Sequence, residues 1–123
     1  QDHLLTGIGL NVFNQVMPAR YPYETVGLTY PVSQAHNLLL DVTLAVGLPG
    51  LLGVVALLAG SVLLGVRCMR RDPLTRAVAL GLIASMLAFV VFGITDSISL
   101  SIPTSFIMWL WASSLAILDR RGR

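Results

Sequence analysis

Apolar residues run almost unbroken through three stretches of this chain, beginning near Val42, Ala77 and Ile102, and polar residues collect between them. Each stretch is long enough to span a bilayer, whose hydrocarbon core of about 30 Å takes roughly 17 to 25 helical residues. The first is too long to be one straight span. From Leu38 to Val66 it would measure about 43 Å at about 1.5 Å per residue. A break is expected at Gly47-Leu48-Pro49-Gly50, where Pro49 has no amide hydrogen and crowds the preceding turn, and two glycines relax the backbone. The pattern predicts a short helix from about Gln34 to Val46, then spans over about 49–66, 77–94 and 102–118. Residues 1–35 are not a span: Pro18, Pro22 and Pro31 interrupt them, and Gly7, Gly9 and Gly27 loosen them. They read as an ordered loop, followed by a membrane domain over 36–123. The predicted class is all-α: a polytopic membrane protein with three transmembrane helices after an extracytoplasmic loop and a short interfacial helix.

Composition agrees with the pattern. The 123 residues are 55% hydrophobic and 11% charged, with a mean hydropathy of +0.80, whereas soluble domains carry about 25% charged residues. Eight arginines and no lysine face six acids, a net charge of +2. That is too little and too scattered for a nucleic-acid surface, so nucleic-acid partners are excluded. Cys68 is the sole cysteine, which rules out an internal disulfide and a CxxC zinc or redox pair. The chain opens Gln1-Asp2-His3, has no methionine before Met17, and carries no signal-like basic and apolar start, so a longer protein is expected.

Arginine placement sets the expected orientation. Four arginines lie in the loop 67–76 and three in the tail 119–123, leaving Arg20 alone elsewhere. Short basic loops stay cytoplasmic. With three spans, both basic segments lie inside only if residues 1–48 and the link 95–101 lie outside, where basic residues are scarce. A first span entering from outside must be fed by an upstream helix or signal, so a further N-terminal portion is expected.

Few outer residues are then available for chemistry. Ser33, Asn37 and Asp41 fall at i, i+4 and i+8 and would share one helix face. His36 flanks that stripe at the first turn, where the positive helix end favours an imidazole that accepts a proton; the alternative is a histidine that only satisfies a loop carbonyl. Asp41 either meets water or orients a group on its own stripe. Arg20 offers a planar donor fork suited to a pyrophosphate, and lipid headgroup binding or pairing with Glu24 accounts for it equally well. Tyr21, Tyr23 and Tyr30 suit the membrane interface or stacking against a sugar. Asp96, at the end of the second span, is a helix-end residue in water or a cavity-facing partner of another helix. No metal site is expected, since neither histidine has a ligand-like spacing. Gly7-Ile8-Gly9 is a poor dinucleotide motif, without a preceding strand or a third glycine. Ala77, Gly81 and Ser85, and likewise Ala56 and Gly60, recur at four-residue spacing and are expected at close helix contacts. Trp109 and Trp111 are expected to pack against neighbouring helices.

Ala35-His36-Asn37-Leu38-Leu39-Leu40-Asp41, followed by Val46-Gly47-Leu48-Pro49-Gly50-Leu51-Leu52, resembles the O-antigen ligase and polymerase family. In that family a large periplasmic loop ends in a histidine-asparagine pair, an apolar helix, a Gly-Leu-Pro-Gly turn and a membrane span. Thr6 to Phe13 looks like the glycine-rich entry to the loop, and Gly93-Ile94-Thr95-Asp96 like the family's C-terminal end. The resemblance implies an inner-membrane glycosyltransferase that takes a glycan from undecaprenyl pyrophosphate and transfers it to lipid A-core, a growing polysaccharide or protein, with no cofactor or metal. It implies His36 as the base on the acceptor hydroxyl and Arg20 as a pyrophosphate contact; Asn37, Asp41 and Tyr21 beside them are further candidates for binding the pyrophosphate or glycan. The family's other essential arginines lie upstream of this segment, so the segment by itself is expected to be inactive. Rival expectations are a polymerase of the same family, a membrane transporter using Asp41, Asp96 and the broken helix, and a non-catalytic membrane partner.

Overall fold

A computed structural model describes residues 3–10, 12–20, 35–95 and 102–121; the elements among them are helices, with no strand. They are α1 (Phe13–Arg20), α2 (Leu38–Cys68), α3 (Pro73–Thr95) and α4 (Ile102–Arg121). The chain divides into two compact units, Gln1–Leu52 with Phe92–Ser101, and Gly53–Val91 with Ile102–Arg123.

The helix ends follow from local chemistry. Asn37 opens α2: its Oδ1 accepts the N–H groups of Leu39 and Leu40 at 3.0 and 3.2 Å, the second and third helical residues, as an N-cap does. The helix therefore starts at Leu38 and not near Gln34. Asn37 stands at the helix boundary and not on a helix face with Asp41, which corrects that part of the predicted stripe; Ser33 lies outside the described residues. Asp72 opens α3 in the same way. Its carboxylate accepts the Thr75 N–H at 3.1 Å, and Pro73 takes the first helical position, where an N–H would have no partner. This cap starts α3 a full turn before the expected Ala77. Hydrogen bonds from the Thr75 side chain and then its backbone hold the Asp72 carboxyl below its ordinary value of 3.8. At the far end of α2, Arg70 N–H bonds to Arg67 O and Arg71 N–H to Cys68 O, a tightened turn that ends the helix.

The expected break in α2 falls at Gly47, which takes φ 72° and ψ −177° inside the helix. Those angles are essentially restricted to glycine. The loop expected over 1–35 is interrupted by α1, which runs through Pro18. The proline deprives only the Asn14 carbonyl of its i+4 donor, and Asn14 is exposed.

The second unit has a core of Cys68, Ala79, Met86, Met108, Trp111 and Leu115. Phe89 and Trp111 meet edge to face, with ring centroids 5.3 Å apart at 73°. Gly65 makes room for this packing, because a Cβ there would lie 2.5 Å from Ile83 Cδ1. Two sequence expectations fail. Trp109 is 65% exposed, and the four-residue series are not contacts: Gly60 and Gly81 have nothing within 4 Å of a built Cβ, while Ala56, Ala77 and Ser85 are exposed. On a helix that is apolar all round, spacing alone does not select the packed face.

α2 and α3 are long and apolar enough to cross a membrane, and only 17% and 28% of their most apolar windows are buried within the chain. Leu52, Leu63, Leu74 and Val91 are all more than half exposed. The third predicted span corresponds to α4, whose helix continues through Asp119, Arg120 and Arg121.

Candidate functional site

The first unit is organised around the break in α2. A straight helix would pair Leu48 N–H with Leu44 O and Pro49 with Ala45 O, but Gly47 opens the first pair and Pro49 cannot donate to the second. The turn over residues 3–9 supplies the missing partners. Ile8 N–H donates to Leu44 O at 2.7 Å, Gly9 N–H to Ala45 O at 3.0 Å, and Leu48 N–H to Leu4 O at 2.9 Å. All three groups freed by the break are thereby satisfied. Close approach makes this possible: Gly7 and Gly47 both have positive φ, and a Cβ on either would run into backbone of the opposing strand of chain, Ala45 for Gly7 and Leu5 for Gly47.

This assigns Gly7-Ile8-Gly9 a part that the sequence alone did not reveal. It is a backbone dock for a broken helix, not a phosphate loop. No signal in the sequence pairs this glycine turn with the Gly47-Leu48-Pro49-Gly50 break.

The amino-terminal end of α2 carries three of the predicted site residues. His36 immediately precedes the cap, is exposed, and holds a left-handed backbone with φ 48°. Left-handed non-glycine residues are uncommon, although histidine is among the enriched types. Asn37 uses both ends of its amide: Oδ1 caps α2, and Nδ2 donates to Ile94 O in the last turn of α3 at 3.1 Å. It therefore ties the positive end of α2 to the negative end of α3. Gly93 lets the helices approach, since a Cβ there would lie 2.9 Å from Leu38 Cβ. Asp41 is half-buried in the first turn of α2, with its N–H on Asn37 O at 2.8 Å, where an acid complements the helix dipole.

Arg20 is exposed and is the last residue of α1. Tyr21 and Asp96 lie outside the described residues. His36, Asn37 and Asp41 thus gather at one helix end. Among the described residues no group of three or more His, Cys, Asp or Glu side chains is placed to hold a metal ion.

The second unit contains an ion pair that the sequence reading missed. Arg71 Nη2 meets Asp119 Oδ1 at 3.0 Å, with the two side chains 20% and 8% exposed. Arg71 Nη1 donates to Leu118 O at 2.9 Å. One guanidinium therefore both pairs with an acid and satisfies a carbonyl near the end of α4. Counting Arg71 only as a cytoplasmic charge overlooked its partner 48 residues away.

Comparison with known protein families, with curated proteins and with solved structures found no match.

Proposed function

We propose that the chain is the C-terminal part of a polytopic inner-membrane glycosyltransferase of the O-antigen ligase and polymerase kind. Residues 1–48 would face the periplasm, the segments 67–76 and 119–123 the cytoplasm, and α2, α3 and α4 would provide three spans. The membrane assignment is supported by the two long apolar helices left mostly uncovered by the chain. A core helix of a soluble protein would have most of that surface buried.

The observation that carries the catalytic reading is at the start of α2. An exposed histidine in a left-handed backbone is held directly before an Asn37-capped helix end. Residues held in sparsely populated backbone regions concentrate at functional sites. In the proposed reaction an acceptor sugar hydroxyl attacks the anomeric carbon of a glycan linked to undecaprenyl pyrophosphate. The new glycosidic bond forms as the bond to the pyrophosphate oxygen breaks, and His36 takes the hydroxyl proton. Arg20, with arginines of the upstream chain, would stabilise the departing pyrophosphate. No cofactor takes part.

The test is His36→Ala in the full-length protein, scored for transfer of lipid-linked glycan to lipid A-core. The reading expects loss of transfer at normal expression; undiminished transfer would overturn the base assignment. The product pattern distinguishes the two family activities. A disabled polymerase leaves single-repeat glycans, and a disabled ligase leaves long chains on the lipid carrier.

The helix break also favours a transporter reading, because ion and solute sites form at discontinuous helices. Here, however, the freed Leu44, Ala45 and Leu48 groups are already bonded to the 3–9 turn, which leaves less for a solute to coordinate. Solute flux in proteoliposomes that disappears with Asp96→Asn would reverse that preference.

A further inference from the structure

We propose that the groove at the amino-terminal end of α3, between Arg71 and Arg76, binds the phosphate of an anionic phospholipid whose acyl chains lie along the exposed apolar face of α3. The groove has a volume of about 280 Å³ and is lined by Arg71, Pro73, Arg76, Ala77 and Leu80. Pro73, Arg76, Ala77 and Leu80 are spaced i, i+3, i+4 and i+7, so they form one face of the helix. That face passes from a cation to small and then large apolar groups, matching the order of a lipid from headgroup to tail.

The two arginines are differently prepared for an anion. Arg71 is fixed by its bonds to Leu118 O and Asp119, and it is partly neutralised by that carboxylate. Arg76 is exposed and brings the less compensated charge. Asp72 is the other acid of the turn, but its carboxylate is directed at the Thr75 N–H. Four arginines against one aspartate make the segment 67–76 strongly cationic.

A free phosphate would use only the cations. The apolar continuation favours a tailed ligand: the face reaches Leu80, 45% exposed, and Leu87, 56% exposed, with exposed Ala84 between them. A basic side chain at the boundary of an anionic leaflet, with its stem over apolar surface, is a common lipid contact.

The inference rests on the membrane reading above and is independent of the His36 assignment. The experiment is retention of dioleoyl-phosphatidylglycerol on the full-length protein in detergent, by native mass spectrometry, with dioleoyl-phosphatidylcholine and inorganic phosphate as the other arms. Arg76→Gln should lower phosphatidylglycerol retention about fivefold, the worth of one basic residue at an anionic surface. Leu80→Asn should also weaken it while leaving the cations intact. Equal retention of both lipids, equal retention by wild type and Arg76→Gln, or protection by inorganic phosphate as strong as by the lipid would each overturn the proposal. Quenching of Trp109 by a brominated acyl chain, measured on the same protein in bilayers, distinguishes the two failures. Quenching with indifferent phosphatidylglycerol retention removes only the groove, and a Trp109 that is open to iodide and untouched by the brominated chain removes the membrane reading itself.

Discussion

Gly7 lies against the backbone of Ala45 and Gly47 against the backbone of Leu5, so the two glycines close one interface at the break in α2, both with positive φ and neither with room for a Cβ. The contact exists because three broken-helix groups need partners, and the 3–9 turn brings them within bonding distance only when both positions lack side chains. Gly7→Ala and Gly47→Ala should each destabilise the fold, Gly47→Ala by at least about 1–3 kcal/mol from its backbone angles alone. Both disrupt one interface, so the double variant should cost less than the sum of the two singles. Thermal unfolding in detergent measures this. Strict additivity would separate the two glycines.

Asn37 offers a second test, because its two ends do different work. Asn37→Ala removes the cap and the tie to Ile94, and should cost about 1 kcal/mol for the cap alone. Asn37→Asp keeps an acceptor for Leu39 and Leu40 but has no donor for the Ile94 carbonyl. Amide exchange at Leu39 and Leu40 should accelerate in the alanine variant and stay slow in the aspartate variant. Equal acceleration in both would mean that the tie, not the cap, holds the helix end.

Much of this arrangement was legible in the chain. Pro49 and its flanking glycines announced the break because a proline within an apolar run has no other use for that geometry. Asn37 before an apolar run was also a readable start signal, but placing it on a helix face with Ser33 obscured its cap. The docking turn was not legible, since nothing in Gly7-Ile8-Gly9 specifies a partner almost forty residues away. Trp109 and the small-residue series failed for a different reason. α3 and α4 have no polar stripe to fix their rotation, so which residues face inward is decided by shape, as at Gly65 against Ile83.

The Arg71–Asp119 pair should be expensive to break from either side. Asp119 is buried, and removing one partner of a buried pair typically costs about 3–5 kcal/mol; the partial exposure of Arg71 places Arg71→Ala at the low end of that range. Arg71→Lys keeps the charge but cannot present two parallel donors to Leu118 and Asp119, so it should recover only part of the loss. Urea unfolding of the single and double variants yields the coupling. A double variant as unstable as the two singles together would show that the pair contributes nothing beyond its members.

The Asp72 cap gives a pH signature. Its folded carboxyl titrates below 3.8 because Thr75 bonds to the charged form. The stabilisation is therefore complete above the unfolded value and is lost as pH falls through the folded value. Asp72→Asn retains an acceptor for the helix end without a proton to gain. Melting temperatures compared between about pH 5 and about pH 2 should fall less in Asp72→Asn than in wild type. Parallel falls would assign the acid sensitivity to other carboxylates.

The two tryptophans report on what surrounds the uncovered helices. Trp111 is 7% exposed against Phe89, whereas Trp109, two residues away, is 65% exposed. If lipid covers the outward face of α4, a brominated acyl chain should quench Trp109 in the Trp111→Phe variant and leave Trp111 bright in the Trp109→Phe variant. Water in the same place would leave Trp109 red-shifted and open to iodide, and another protein chain would shield it from both quenchers. Trp109→Phe should fold normally, because it removes an exposed ring. Trp111→Phe keeps an aromatic against Phe89, an edge-to-face contact of about 0.5–1.5 kcal/mol. A lipid-quenched Trp109 beside an unquenched Trp111 would place the α4 surface in hydrocarbon and leave the packed side dry. The reverse pattern would mean that α4 is rotated from the orientation described.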